Sequence, residues 1–147
     1  MSGSIAIFMI REDYIRHNEE LKDYKFMCFN GKVKCIFTVT GRFSEDGLKV
    51  TFYDFNWNVM PFERHYPRSL DPIEKPYNFK KMVELAEVLS HDIPFVRVDF
   101  YESDKKIYFG ELTFYPGGGF EEFTPEEWDY VIGDWIDLSL VKKCGYE

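Results

Sequence analysis

The stretch PFVRVDFYESDKKIYFGELTFYPGGGF, Pro94 to Phe120, alternates with a period of two and then runs into glycines. Successive side chains of a strand point to opposite faces, so Phe95, Arg97, Asp99 and Tyr101 line one face and Val96, Val98 and Phe100 the other. On the return strand Ile107, Phe109, Glu111 and Thr113 share a face, as do Tyr108, Gly110, Leu112 and Phe114. An antiparallel pair closed by a short loop centred on Lys105 sets Asp99 directly opposite Glu111 and Arg97 opposite Thr113. Two carboxylates then share one surface beside a guanidinium. The placement depends on register, because a one-residue slip sends Asp99 and Glu111 to opposite faces.

Facing like charges destabilise a sheet, and a hard cation is the simplest reason to keep them together. Mg²⁺ takes carboxylate oxygens and shares its remaining positions with waters and substrate phosphates. The loop Pro116-Gly117-Gly118-Gly119 follows at once, and without side chains it lets backbone N–H groups approach an anion. The same pattern also describes a hairpin with exposed charges and a flexible turn, and on local grounds both readings stay open.

Upstream, Asp23-Tyr24-Lys25-Phe26-Met27-Cys28-Phe29 and Lys32 to Phe37 flank Asn30-Gly31, the strongest short-range hairpin signal and a type I′ turn. With Phe29 opposite Lys32, one face carries Phe26, Cys28, Val33, Cys35 and Phe37, which is core. The other carries Lys25, Met27, Lys32, Lys34 and Ile36, and its three lysines read as a solvated face. Lys49 to Phe55 reads as a strand. Asn78 is placed to cap a helix running to about His91, with Phe79, Met82, Val83, Ala86 and Leu89 as its apolar stripe and Lys80 and Glu84 as an i,i+4 pair. Thr124-Pro125-Glu126-Glu127 reads as a capping box opening a last helix through about Leu138, with Trp128, Val131, Ile132 and Trp135 buried. These elements predict an α+β fold in one domain, 1–147: a largely antiparallel sheet with two principal helices.

Composition narrows the function classes. With 45% hydrophobic and 19% aromatic residues the chain is not disordered, and so many aromatics favour strands. A net charge of −8 argues against nucleic acid or an anionic membrane as the main partner. The apolar run Ile5 to Ile10 is too short for a signal peptide, and no stretch approaches a membrane span, so a cytoplasmic location is expected. Cys28, Cys35 and Cys144 form no Cys-x-x-Cys and read as reduced thiols, while His17, His65 and His91 lack the spacing of a zinc site.

Arg97-Val98-Asp99, then Phe109-Gly110-Glu111-Leu112-Thr113-Phe114-Tyr115-Pro116-Gly117-Gly118-Gly119-Phe120, preceded by Asp23-Tyr24-Lys25-Phe26, Phe29-Asn30-Gly31 and a helix, resembles the TupA-like ATP-grasp proteins of bacterial surface-polysaccharide and teichuronopeptide synthesis. The resemblance covers roughly residues 8 to 140. It implies ATP and Mg²⁺ as cofactors, and activation of a small carboxylate or acidic sugar as an acyl phosphate that an amine then attacks. Asp99, Glu111 and Thr113 then stand where the family holds Mg²⁺, Thr113 replacing the usual Asn. Arg97, Lys25 and Arg42 stand where basic groups meet transferred charge, and the amides of Gly117, Gly118 and Gly119 where the acyl group is held. Glu12-Asp13-Tyr14-Ile15 is similar to the hinge that grips adenine, although an ordinary strand end running into a polar turn has the same pattern. Asn56 to Arg68 is either a loop whose aromatics pack on the sheet or the wall of an acceptor pocket built on Arg64, His65 and Arg68.

The resemblance is to the C-terminal half of an ATP-grasp unit, with the preceding subdomain and lid expected to be absent, as in a truncated product, a fragment or one half that works with a partner polypeptide, so turnover by this chain alone is not expected. Three functions are consistent with the sequence. They are a ligase-type domain in cell-surface polysaccharide synthesis, a nucleotide-binding or regulatory module, and an inactive remnant serving as an interaction domain.

Overall fold

The computed structural model describes residues 22–140 apart from 43 and 72. Asn30 and Gly31 both take positive φ, 49° and 76°, the geometry of a type I′ turn, and join β1 (Lys22–Phe29) to β2 (Lys32–Thr40). Next come β3 (Lys49–Tyr53), the short β4 (Glu63–Arg64) and helix α1 (Phe79–Leu89). After these, β5 (Phe95–Ser103) and β6 (Lys106–Thr113) form a second hairpin. A glycine turn at Pro116–Gly119 leads to β7 (Phe123–Thr124) and helix α2 (Glu127–Gly133). Five strands make one antiparallel sheet in the order β3-β2-β1-β5-β6, and β4 pairs with β7. Sheet and helices together are the α+β architecture expected from the sequence.

Both faces of the sheet are covered. On one, Tyr24, Phe26, Cys28, Val33, Ile36, Val96, Val98 and Phe100 pack against Phe79, Met82 and Ala86 of α1. On the other, Met27, Phe29, Cys35, Phe37, Val50 and Phe52 meet Phe62 and Ile132, with Trp128 and Trp135 alongside. Cys28 and Cys35 are thus buried thiols on opposite faces, and burial pushes each up to about 12. The irregular segment after β3 adds to the first cluster: Trp57 stacks on Tyr53 at 4.4 Å and donates its Nε1–H to the Ile73 carbonyl.

Two β-bulges change the faces read from alternation alone. In the first hairpin Cys28 pairs with Val33 but Met27 with Cys35. Lys34 is therefore the extra residue, and it is exposed. Beyond it the phase inverts: Cys35 and Phe37 join Met27, while Ile36 joins Phe26. In the second hairpin Asp104 and Lys105 form a two-residue turn, both at positive φ, so Phe100 pairs with Phe109 and Tyr101 with Tyr108. The register then shifts between Val98 and Phe100, and Arg97 pairs with Thr113 as expected. Asp99 is not directly opposite Glu111: Gly110 and Glu111 together lie across from it, and Ile107 and Phe109 turn to the α1 face with Leu112.

The helices also depart from expectation in detail. Asn78 makes no side-chain cap; its Nδ2 instead donates to Glu102 and to the Lys105 carbonyl, tying α1 to the β5–β6 turn. Lys81, not Lys80, pairs with Glu84. No capping box forms at Thr124, which lies in β7, and α2 ends at Gly133 because the chain turns away into a short 3-10 segment at Leu138–Leu140. Val131 is exposed, since seven helical residues offer only a narrow buried face.

Gly110 sits in the second bulge, where a Cβ would lie 2.9 Å from Tyr101 Cε2 and 3.1 Å from the Asp99 carbonyl oxygen. Gly110→Ala should therefore lower the urea midpoint by the equivalent of about 1–3 kcal/mol. Gly133→Ala, whose Cβ would meet nothing within 4 Å, should leave it unchanged or slightly raised.

Candidate functional site

The bulges bring a charged cluster onto the face of the sheet that also carries Met27 and Phe37. β1 supplies Asp23 and Lys25, β5 supplies Arg97 and Asp99, and β6 supplies Glu111 and Thr113. Lys25 pairs directly with Asp99 in the β1–β5 register. Its ammonium lies 2.6 Å from Asp99 Oδ2 and 2.9 Å from Asp23 Oδ2. Arg97 donates Nε–H to Asp99 Oδ1 at 2.7 Å and uses Nη2 to bridge Asp99 Oδ2, at 2.8 Å, and Glu111 Oε1, at 2.7 Å. Thr113 donates its hydroxyl to the same Glu111 oxygen at 3.1 Å, and Arg42 donates to Asp23 Oδ2 at 2.9 Å. Lys25, Arg42 and Arg97 thus balance Asp23, Asp99 and Glu111.

Burial grades across the cluster. Asp99 is 1% exposed and Lys25 7%, whereas the Glu111 side chain is 63% exposed. Lys25 is not part of a solvated face, as its lysine-rich surroundings implied. The bulge turns Lys34 out to solvent, while the unbroken β1–β5 register sets Lys25 against Asp99. Asp23 went unnoticed in the sequence, although its two-residue spacing from Lys25 on one strand placed it on the same face. Its Oδ1 is buried without a hydrogen-bond partner among the described residues. Desolvation raises its pKa despite the opposing charge and hydrogen bond of Lys25.

Hard oxygen donors suit Mg²⁺, and Asp99 and Glu111 already share one positive group, Arg97 Nη2. The guanidinium already lies between the two carboxylates, so an ion held by both would have to displace its Nη2, while its Nε could keep Asp99 Oδ1. Among the described residues no three His, Cys, Asp or Glu side chains come together as metal ligands. Two carboxylates with the Thr113 hydroxyl beside them would leave most of an octahedron to water and phosphate oxygens.

The glycine turn lies next to a second charged element. Gly117 and Gly118 take φ of 59° and 66°, and the Gly118 amide is spent on the Tyr115 carbonyl. A Cβ on Gly117 would collide with the Glu121 side chain, whereas Gly119 has open space around it. Glu121 crosses the turn to reach Arg64, 2.9 Å away. Arg64 is 8% exposed and lines a cavity with Arg42 and Glu121. His65 and Arg68 do not line it: His65 packs edge-on against Tyr66, and Arg68 pairs with Glu63 on the surface. Glu121 carried no sequence signal beyond its nearness to the glycines. Glu12, Asp13, Tyr14 and Ile15 lie outside the described residues.

A family model described as TupA-like ATPgrasp matches residues 4–137. No curated protein and no solved structure matches the chain significantly. The match spans most of the chain, and the chain belongs to the TupA-like ATP-grasp family.

Lys25→Ala leaves two buried carboxylates short of a partner and should cost about 3 kcal/mol in chemical denaturation. Lys34→Ala, on the exposed bulge, should change stability by less than about 0.5 kcal/mol. For Asp23 the folded pKa stands above the ordinary 3.8. Between those two values the native state keeps a proton that the unfolded chain has lost. Its contribution is therefore complete below the unfolded value and lost as pH rises through the folded one. Relative to Asp23→Asn, the wild type should lose stability on going upward from pH 4, so its denaturation midpoint, measured at a series of pH values, should fall against that of the variant.

Proposed function

We propose that this ATP-grasp chain provides the nucleotide and acyl-phosphate contacts of a carboxylate–amine ligase acting in cell-surface polysaccharide synthesis. The observation behind the proposal is the convergence of Lys25, Arg97, Asp99, Glu111 and Thr113 on one sheet face. Membership of the ATP-grasp family supports the reading.

In the reaction a carboxylate oxygen of the substrate attacks the γ-phosphorus of ATP and ADP departs; an amine then attacks the acyl carbon and phosphate leaves. No side-chain nucleophile takes part. The protein positions the reactants and stabilises negative charge. Asp99 locks the plane of the Arg97 guanidinium through two hydrogen bonds, so Arg97 can offer its donors to phosphate oxygens without first being ordered. Lys25, fixed between Asp23 and Asp99, supports that arrangement from the adjacent strand and adds positive potential. Asp99 and Glu111, with Thr113 beside them, are the proposed holders of Mg²⁺, which when bound would neutralise the polyphosphate. The turn at Gly117 to Gly119 is the proposed neighbour of the acyl group. A second subdomain, in this polypeptide or another, would close over the nucleotide.

Calorimetric titration with a nonhydrolysable ATP analogue, with and without Mg²⁺, tests this. Binding should need Mg²⁺ and weaken at least tenfold, about 1.4 kcal/mol, in Glu111→Ala, whose exposed side chain can be removed without loss of core. Asp99→Ala should abolish it. Absence of binding in the folded wild type with Mg²⁺ would sink the proposal for this chain alone. Binding without ADP formation, when an acidic sugar and an amine are supplied, would identify a nucleotide-binding module.

A further inference from the structure

Beside the charged cluster, Val39, Leu48, Val50 and the Tyr66 ring wall a cavity of about 320 Å³, whose polar lining is Arg42, Arg64 and Glu121. At the lower end of ligand-cavity volumes, it holds one ring with its substituents rather than an oligosaccharide. Arg64 is an uncommon anchor for such a place. Its guanidinium carbon stands 4.7 Å from the centre of the Phe37 ring and 5.6 Å from that of Phe52, so the aromatic faces fix its plane. Pairing of Arg64 with Phe123 across β4 and β7 fixes its backbone. Among the described residues the carboxylate paired with it is Glu121, whose Oε2 lies 2.9 Å from Nε, and a guanidinium presents five donors in a planar fork suited to carboxylates. Burial bears against its charge and lowers its pKa, and Glu121 opposes that shift.

From this geometry we infer that the cavity binds the carboxylate of a small organic acid, with Arg64 as anchor, Glu121 as an internal carboxylate occupying its place in the free protein, and Arg42 linking the cavity to the phosphate-handling cluster. The internal pair indicates the ligand chemistry, because the protein already seats a carboxylate on Arg64. Gly117 belongs to the same device: with any larger residue Glu121 would not reach across the turn. Arg42 lines the cavity and donates to Asp23 in the cluster, so a carboxylate seated here borders the groups proposed to handle phosphate. As the seat of the carboxylate to be activated, the cavity rests on the ligase reading; as an organic-anion pocket it stands without it.

Glucuronate serves as the probe, titrated into wild type, Glu121→Gln, Arg42→Gln and Arg64→Gln and followed by backbone amide NMR shifts, with glucose and inorganic phosphate as controls. The wild type should bind glucuronate and not glucose. Glu121→Gln should bind it about tenfold more tightly, because an internal competitor is removed, and Arg42→Gln more weakly. Arg64→Gln should not bind. Arg64 also packs on Phe37 and Phe52, so the gain in Glu121→Gln is the deciding readout and does not depend on Arg64→Gln folding. A purely structural ion pair predicts no gain and a lower melting temperature in Glu121→Gln, and that result, or equal affinity for phosphate, would overturn the inference. Titrating the ATP analogue into the same samples separates the two claims. Glucuronate binding without nucleotide binding removes the ligase reading and keeps the pocket, and nucleotide binding without glucuronate binding removes the pocket alone.

Discussion

A lysine and an aspartate, paired across two neighbouring inner strands of the sheet and almost wholly removed from water, set the terms for the rest of the protein. With Nζ of Lys25 2.6 Å from Asp99, neither group can be lost without stranding the other, and a desolvated charge is tolerated only when its partners are close and correctly directed. Arg97 must therefore stay on Asp99, Asp23 needs Arg42 and Lys25, and Glu111 is drawn in through Nη2 of Arg97, the nitrogen that also bonds Asp99. The aromatic clusters on the two faces hold the strands at the register that makes these contacts possible. Apolar packing alone would tolerate many exchanges of side chain, whereas the ionic network tolerates few.

Much of this was legible from residue order. The alternation of Phe95 to Tyr101, the Asn30-Gly31 turn and the stripe Phe79, Met82, Ala86 each report a local geometry that burial then selects. What stayed hidden was the pair of bulges, because an inserted residue leaves no mark on composition and only a faint one on periodicity. Lys34 between Val33 and Cys35 looks like ordinary alternation, yet it flips Cys35 and Phe37 to the other cluster. At Gly110 the signal was present: a glycine in a strand interior often marks a bulge. Arg97, Asp99, Glu111 and Thr113 come together because the two-residue turn and the bulge offset one another; either alone would separate them.

The partners of Arg64 were beyond reach for a different reason. β4 and β7 are two residues each and sixty positions apart, too short for any pattern. Glu121 was indistinguishable from Glu122 until the left-handed turn at Gly117 aimed it. The family match gives an ATP-grasp-type domain and says nothing of these contacts. The charge network and the cavity wall come from the geometry.

The position of β6 at the rim of the sheet has a mechanical meaning. Lys25 and Asp99 sit on strands flanked on both sides, so they form a fixed jaw. Among the described residues Glu111 and Thr113 sit on a strand paired on one side, where local opening breaks a single ladder. Opening of that ladder would reach the Glu111 and Thr113 side of the cluster before the buried pair of Lys25 and Asp99.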